Sequence, residues 1–279
     1  MTIPPPALLI AGPGTQDDAG AEAFRDFVRE LGRRHPDLPV AGGFTEPASP
    51  PLDEAVAELV ERGVRRFVAV PLTLESDVAA APARRQQQRH PGVSIAYGRP
   101  LGPHPSLLSV LERRLDSALG TEGRRPGDRA DVTVLLVGRG STDPEANAEV
   151  HRAARLLWEG RGYAGVEPAF VSLAAPDVPS GLDRCVKLGA RRIVVLPYFL
   201  FAGALPERAW QQAEGWAAAH PEIDVRAADV IGPEPELLDL VRERYEAAVP
   251  GGHQDNDGHE DDQHHTTSPH PQDTPSHAL

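Results

Sequence analysis

The sequence predicts an α/β protein made of two similar lobes, each with a doubly wound parallel sheet. Three observations predict this class: short apolar runs that end in glycine or proline, helix-like stretches between those runs, and a unit that occurs twice along the chain. Apolar runs that alternate with helices are typical of parallel sheets, because a crossover connection must join two parallel strands. We therefore expect helices on both faces of each sheet.

The repeat is recognised from glycines and prolines that recur at a constant spacing. Gly12 corresponds to Gly138 and Pro71 to Pro197, both at an offset of 126 residues. The His-Pro and Gly-Pro steps that follow are matched at an offset of 130 residues. The first repeat has therefore lost four residues shortly after Pro71, relative to the second.

Within each repeat, predicted strands and helices alternate. Phe67–Val70 and Ile193–Leu196 are near-continuous apolar runs, which is typical of parallel strands that are buried on both faces. Apolar residues at helical spacing predict helices over the segments Ala21–Arg34, Leu52–Arg62, Ala146–Glu159 and Leu237–Ala247.

These patterns divide the chain into an N-terminal lobe (1–119), a linker (120–130), a C-terminal lobe (131–249) and a tail (250–279). The linker is rich in glycine, arginine and proline. The tail has no lysine or arginine, six acidic residues and six of the eleven histidines. We expect the tail to be disordered, because it has almost no apolar side chain to bury.

Composition disfavours several classes of function. The 28 basic and 41 acidic residues give a net charge of −13, and only 5% of residues are aromatic, so we expect no nucleic-acid partner. The apolar runs are much shorter than the ~20 residues that span a bilayer. The start of the sequence has no secretory pattern, so we expect a cytoplasmic protein without a membrane partner. Cys185 is the single cysteine, which excludes an intramolecular disulfide.

The loops after the predicted strands are the expected functional region, because ligands of open α/β sheets bind beyond the carboxyl ends of the strands. Two such loops are the glycine turns Gly12–Thr15 and Gly138–Ser141. The simplest interpretation is a tight turn with an N-cap hydroxyl at Thr15 or Ser141. A dinucleotide site is disfavoured, since aspartate occupies the third glycine position of the Gly-x-Gly-x-x-Gly pattern in both turns.

Five longer segments carry a resemblance to a known family: Gly42–Glu46, Gly63–Arg66, Arg139–Asn147, Ala154–Tyr163 and Gly189–Phe201. They resemble the long, duplicated sirohydrochlorin chelatases of cobalamin and sirohaem biosynthesis. The resemblance extends from about residue 6 to residue 248 and implies insertion of divalent cobalt, iron or nickel into a sirohydrochlorin-type tetrapyrrole.

The resemblance also implies two histidines that this chain lacks. In the family, neutral imidazoles accept the departing pyrrole protons and help to hold the metal. The first place is occupied here by Pro13, and its counterpart in the second repeat is Arg139; neither accepts a proton at neutral pH. The second place falls in the shortened window after Pro71, where the histidine-bearing loop is missing. Glu46, where the family carries a cleft glutamate, is left as the candidate catalytic residue.

The remaining predicted site residues would bind the tetrapyrrole. Arg139 is suited to a propionate or acetate group, since a guanidinium binds a carboxylate through two hydrogen bonds; an ordinary surface arginine is the alternative. Glu75 lies near the missing loop, where a solvated acid is the alternative. The predicted substrate-binding residues are Gly12, Pro13, Gly14, Thr15, Leu74, Glu75, Gly138, Arg139, Gly140 and Ser141.

The tail offers a second kind of metal site. Scattered imidazoles on a flexible chain bind cobalt or nickel with modest selectivity, whereas the alternative is a tail that only solvates the protein. We expect no tightly bound cofactor, with a divalent metal as substrate or as tail ligand. The candidate tail ligands are His253, His259, His264, His265 and His270.

Two hypotheses for function follow from the sequence. In the first, the chain is a metal chelatase that acts on a tetrapyrrole in a cleft between the two lobes. In the second, it is a catalytically degenerate paralogue that binds a tetrapyrrole, a metal or a true chelatase without catalysing insertion. An assay of metal insertion distinguishes the two.

Overall fold

The computed structural model describes residues 4–14, 18–45, 49–75, 89–120 and 126–250. The described strands are β1 (Ala7–Gly12), β2 (Val40–Phe44), β3 (Arg66–Pro71), β4 (Ser94–Tyr97), β5 (Val132–Gly138), β6 (Gly165–Phe170), β7 (Arg192–Pro197) and β8 (Asp224–Ala227). The described helices are α1 (Asp18–Arg34), α2 (Leu52–Glu61), α3 (Pro105–Leu119), α4 (Pro144–Trp158), α5 (Val178–Lys187), α6 (Ala204–Ala219) and α7 (Pro235–Ala248).

Each lobe contains a four-stranded parallel sheet, and the predicted two-lobed α/β fold is confirmed. The strand orders are β2-β1-β3-β4 and β6-β5-β7-β8, so the two sheets have the same topology. In this order the chain leaves β1 toward one side of the sheet and later returns to β3 on the other side. The loops after β1 and β3 therefore diverge, as do those after β5 and β7, and a crevice at such a switch point is the usual ligand site of the fold.

The first strand of each lobe is central and fully buried, as its apolar sequence predicts. All seven residues of β5 and all six of β1 are buried. A strand covered on both faces needs apolar side chains pointing both ways, which explains why these strands show no alternation. The start of α5 is fixed by a polar cap: Asp177 accepts from the backbone N of Ser180, and this hydrogen bonding lowers the pKa of Asp177.

The last helix of each lobe packs on the other lobe: α3 contacts β7 and β8, while α7 contacts β3. Arg114 of α3 donates from Nε to the carbonyl oxygen of Val230 at 2.9 Å, and Arg244 of α7 donates from Nε to that of Pro100 at 3.1 Å. The two arginines are 130 residues apart, and so are the two residues that accept from them. The contacts are therefore equivalent in the two repeats. Buried residues of both lobes accordingly form one continuous core.

A second equivalent pair of contacts connects the start of each of these two helices to the second half of the other. His104 caps α3, accepting from the backbone N of Ser106, and its Nε2 lies 3.4 Å from Glu243 of α7. The matching pair joins Arg113 of α3 to Glu234, the N-cap of α7, at 3.3 Å. Burial lowers the pKa of His104 more than Glu243 raises it, so the folded state favours the neutral imidazole.

The segment between the lobes is anchored by an arginine. Arg129 donates from Nη1 to Glu112 at 2.5 Å and from Nη2 to Asp116 at 2.6 Å, both on α3. Its guanidinium also lies 5.4 Å from the centre of the Tyr163 ring in the C-terminal lobe. Because the Arg129 side chain is only 13% exposed, these charge-assisted bonds fix the linker against both lobes.

Candidate functional site

Backbone hydrogen bonds hold the strand-end loops of each lobe together. In the N-terminal lobe, Thr45 donates to the carbonyl oxygen of Gly12 from its backbone N at 2.9 Å and from Oγ1 at 3.1 Å. In the C-terminal lobe, Val171 donates from its backbone N to Gly138 at 3.0 Å, and Tyr198 donates to Val137 at 2.8 Å. The ends of adjacent strands are thus fixed beside each switch point.

The paired glycines have conformational and packing roles in the turns. A Cβ at Gly12 would lie 2.8 Å from Phe24, and one at Gly138 would lie 2.9 Å from Val150, so glycine lets the first helix of each lobe approach its strand. Gly140 has φ of 87°, a conformation that residues with a side chain rarely adopt. A Cβ at Gly140 would also overlap the carbonyl oxygen of Ser172.

The second turn is fixed by an asparagine side chain. Ser141 donates from its backbone N to Oδ1 of Asn147 at 2.9 Å, and Nδ2 of Asn147 donates back to the Ser141 carbonyl oxygen at 2.8 Å. The predicted N-cap hydroxyl at Ser141 is wrong: the N-cap of α4 is Asp143, which accepts from the backbone N of Glu145. Ser141 lies too far before Pro144, the first helical residue, and its Oγ accepts from the backbone N of Asp143 instead.

A shallow hollow crosses the lobe boundary at this turn. Glu75, from the loop after β3 in the N-terminal lobe, faces the turn and first helix of the C-terminal lobe. One acidic and one basic residue therefore line the same hollow. The hollow is lined by Glu75, Arg139, Gly140, Ser141, Ala146, Asn147 and Val150.

The segment that carries Glu75 is packed firmly below the hollow. Leu74 is only 4% exposed and belongs to the shared core. Thr73 donates from Oγ1 to the carbonyl oxygen of Glu75 at 3.0 Å, and its own carbonyl oxygen accepts from the backbone N of Leu101 at 2.9 Å. The backbone up to Glu75 is thus held by buried contacts, while the Glu75 side chain is half-buried.

A buried tyrosine lies beneath this segment. The Tyr198 hydroxyl packs against Gly102, next to the carbonyl oxygen of Leu74, and has no hydrogen-bond partner among the described residues. Burial raises the pKa of Tyr198 far above its ordinary value, and the carboxylates of Glu75 and Glu149 raise it further. Tyr198 is therefore a neutral phenol close to two carboxylates.

The structure brings part of the predicted site together. Glu75, Arg139, Gly140 and Ser141 share one hollow, whereas Leu74 packs in the core. Gly12, Pro13 and Gly14 form the equivalent turn of the N-terminal lobe, and Gly138 supports the Arg139 turn from the end of β5. Thr15, Glu46 and the tail histidines His253, His259, His264, His265 and His270 lie outside the described residues.

Sequence reasoning did not identify Asn147 or Tyr198 as site residues. Asn147 stands six residues after Ser141, and an amide side chain one turn into a helix is a usable signal, because it can reach back to the preceding loop. Tyr198 carries only a weak signal, a phenol directly after an apolar strand. Its significance depends on the placement of the other lobe.

Other chemistry is limited within the described part of the chain. No group of three or more histidine, cysteine, aspartate or glutamate side chains is arranged there to hold a metal. Burial raises the pKa of the Cys185 thiol to about 12, which keeps it protonated and unreactive. Among these residues, no helix is both long and apolar enough to cross a membrane.

Comparison with known proteins gives a consistent result across both lobes. The family model CbiX matches residues 7–118 and 133–248. The sirohydrochlorin cobaltochelatase of Priestia megaterium is 32% identical over 88% of this chain and 80% of its own length, and the sirohydrochlorin ferrochelatase of Bacillus subtilis is 27% identical over 90% and 96%. The structure of SirB from Bacillus subtilis with Fe3+ has a TM-score of 0.74 and 24% identity over 88% of this chain and 96% of that chain, which shows a shared fold.

Proposed function

This chain belongs to the CbiX family, and we propose that it inserts a divalent metal into a sirohydrochlorin-type tetrapyrrole at the boundary between its two lobes. It is a sirohydrochlorin chelatase-like protein. The observation that carries the proposal is the family match over both repeats, on the same strands and helices that build the two switch points. Relatives named as cobalto- and ferrochelatases favour catalysis over the alternative of a paralogue that only binds.

The geometry of the hollow supports this substrate. Sirohydrochlorin carries many carboxylate groups around a ring whose centre holds two N–H groups. Arg139 offers a guanidinium for a peripheral carboxylate, and the turn that carries it is locked by Asn147, so the arginine backbone is in place before the substrate arrives.

An insertion assay tests the proposed function. The full chain is mixed anaerobically with sirohydrochlorin and Co2+ or Fe2+, and metal insertion is followed by the change in the absorption spectrum. We expect insertion at least about 10²-fold faster than without protein, since a positioned proton acceptor alone contributes ~10²–10⁴-fold. A chain that binds sirohydrochlorin with no acceleration would support the binding paralogue, including one that acts with a separate chelatase.

The tail is proposed to retain metal independently of the two lobes. Truncation after Val249 is expected to leave the thermal midpoint nearly unchanged without metal, because the tail has few apolar residues to bury. It should remove most of the cobalt or nickel that the purified chain retains after dialysis. Retention by the full chain should weaken below pH ~6.5, because imidazole binds metal only when deprotonated.

A full-length control distinguishes the histidines from the acids of the tail. The control replaces the histidines by asparagine and keeps every carboxylate, so equal loss of metal in the control and the truncated chain would identify imidazole as the ligand. Full metal content in the truncated chain would place the site in the lobes. The replaced residues are all six histidines of the tail: His253, His259, His264, His265, His270 and His277.

A further inference from the structure

The repeat creates two equivalent positions at the lobe boundary. In each, the loop after the third strand of one lobe meets the first helix of the other. Glu75 occupies one position, on the α4 side, and Phe201 occupies the other, on the α1 side; the two residues differ by the repeat offset of 126. We call these positions the Glu75 seat and the Phe201 seat.

The Phe201 seat is closed by aromatic packing. The Phe201 ring lies 5.7 Å from the Phe27 ring of α1, with an angle of 63° between the planes, and it packs against the shared core. An edge-on aromatic contact of this kind is stabilising and leaves no group that exchanges protons. The adjacent turn carries Pro13 where the other turn carries Arg139.

The Glu75 seat has polar residues at three places where the Phe201 seat has apolar ones. Glu75 replaces the phenylalanine and Arg139 replaces the proline, and both line the same hollow. Asn147 takes the place of Ala21 and fixes the turn through two hydrogen bonds. The Phe201 seat therefore has apolar side chains that pack together, whereas the Glu75 seat has polar side chains that can take part in a reaction.

A fourth difference supports the same conclusion. Tyr198 is the counterpart of Leu72, which is buried within the N-terminal lobe and shows that an apolar side chain serves this place in the fold. A buried phenol without a hydrogen-bond partner in the described part of the chain costs free energy, so its presence calls for an explanation. The hydroxyl lies next to the backbone of Leu74, directly below the residue that carries the carboxylate.

We propose that the Glu75 seat is the reaction centre, that Glu75 accepts the N–H protons of the macrocycle, and that Tyr198 is a positioning residue for its carboxylate. This inference rests on the proposed function. As the metal enters, two N–H bonds break, the metal forms bonds to all four ring nitrogens, and it stays divalent. Glu75 takes each proton in turn and releases it to water, so two protons leave for each metal ion bound.

The surrounding charges suit this role. Arg139 lines the same hollow as Glu75, so a basic residue accompanies the proposed proton acceptor. A metal ion approaching the ring nitrogens makes their N–H protons more acidic, so a carboxylate is a sufficient acceptor. Phe201 gives the other seat no such group.

The test compares Glu75→Gln with Glu61→Gln in the cobalt insertion assay. Glu61 lies at the end of α2, exposed and at the opposite edge of the sheet, so its replacement makes the same chemical change away from the site. We expect Glu75→Gln to lower kcat by about 10²–10⁴-fold with little change in the Kd for sirohydrochlorin, and Glu61→Gln to leave both unchanged. Glu75→Ala should regain part of its rate when formate is added as an external proton acceptor.

The Tyr198→Phe variant tests whether the Tyr198 hydroxyl positions the Glu75 carboxylate or whether the side chain only packs in the core. If the hydroxyl turns to donate to the Glu75 carboxylate during the reaction, its removal raises the pKa of that carboxylate, so the acid limb of the kcat–pH profile should move to higher pH. The circular dichroism spectrum and thermal midpoint of each variant confirm that it is folded. A profile that does not move would overturn the role of Tyr198.

The outcomes separate this inference from the function on which it rests. An active wild-type chain whose Glu75→Gln variant keeps its rate would overturn the inference alone. A matching loss in Glu46→Gln would then assign the proton acceptor to Glu46. A wild-type chain that binds sirohydrochlorin but does not accelerate insertion would overturn both.

Discussion

Replacing Gly140 by alanine is expected to destabilise the folded chain by about 3–5 kcal/mol, in the range that only a specific structural conflict produces. Two effects combine. The left-handed backbone at φ 87° costs a residue with a Cβ roughly 1–2 kcal/mol. The new methyl group would also overlap the carbonyl oxygen of Ser172, a backbone atom that cannot turn away like the end of a side chain.

The Ser172 loop has little freedom to yield. Ser172 donates from its backbone N to Arg139 at 3.2 Å, and Ala174 donates to Ser172 at 2.7 Å. Leu173 between them already has φ of 62°, so the loop is held in an unfavourable conformation by its surroundings. A shift of this loop would break the hydrogen bond that joins it to the Arg139 turn.

Gly63→Ala is the matched control for this prediction. Gly63 has φ of 90°, but a Cβ there would have no atom within 4 Å, so the variant measures the conformational cost alone. Urea unfolding of both variants should therefore give a clearly larger loss for Gly140→Ala. Equal losses would mean that the Ser172 loop moves aside freely, contrary to the structure.

Much of the architecture was predictable because the repeat is recognised from glycines and prolines, residues whose positions are dictated by the backbone. Gly12 and Gly138 recur where a helix must approach a strand, and such positions tolerate no side chain. The apolar runs give the buried strands for the same reason: a central parallel strand needs apolar residues on both faces. A chain with the same strand–helix order twice then has two sheets of the same topology.

The site was less predictable because it depends on how the lobes meet. Glu75 and Arg139 are 64 residues apart in the sequence and belong to different lobes, and only the packing of α3 and α7 across the boundary brings them to one hollow. The sequence shows that both residues are present, but it does not show how far apart they lie in the folded protein. Each could therefore be named as a candidate, whereas their proximity could not be predicted.

The incorrect cap at Ser141 has a local cause that the sequence does contain. Proline is favoured at the first position of a helix, so Pro144 marks the helix start and Asp143 the N-cap. The prediction relied on the glycine turn and placed the N-cap at Ser141, two residues before the observed N-cap Asp143. The correction matters for function, because it leaves the Arg139–Ser141 turn outside the helix and on the wall of the hollow.

Charge reversal at Arg139 is expected to weaken the binding of sirohydrochlorin by about 10–100-fold. A hydrogen bond to a charged partner contributes about 1.5–3 kcal/mol, and each 1.4 kcal/mol corresponds to a tenfold change in Kd. In Arg139→Glu the attraction for a substrate carboxylate is lost, and a second negative charge is placed on the wall that already carries Glu75. The Kd is measured from the absorption change of metal-free sirohydrochlorin, so that binding is separated from insertion.

Arg152→Glu makes the same change in net charge at an exposed position on α4, outside the hollow. If Arg139 contacts the substrate directly, its reversal should raise Kd far more than reversal at Arg152. Because salt screens exposed charges beyond about 10 Å at 0.1 M, raising the ionic strength should remove the effect at Arg152 and only reduce that at Arg139. Equal effects that vanish together in salt would show that Arg139 acts only through the overall charge of the surface, and the carboxylate contact would have to be assigned elsewhere.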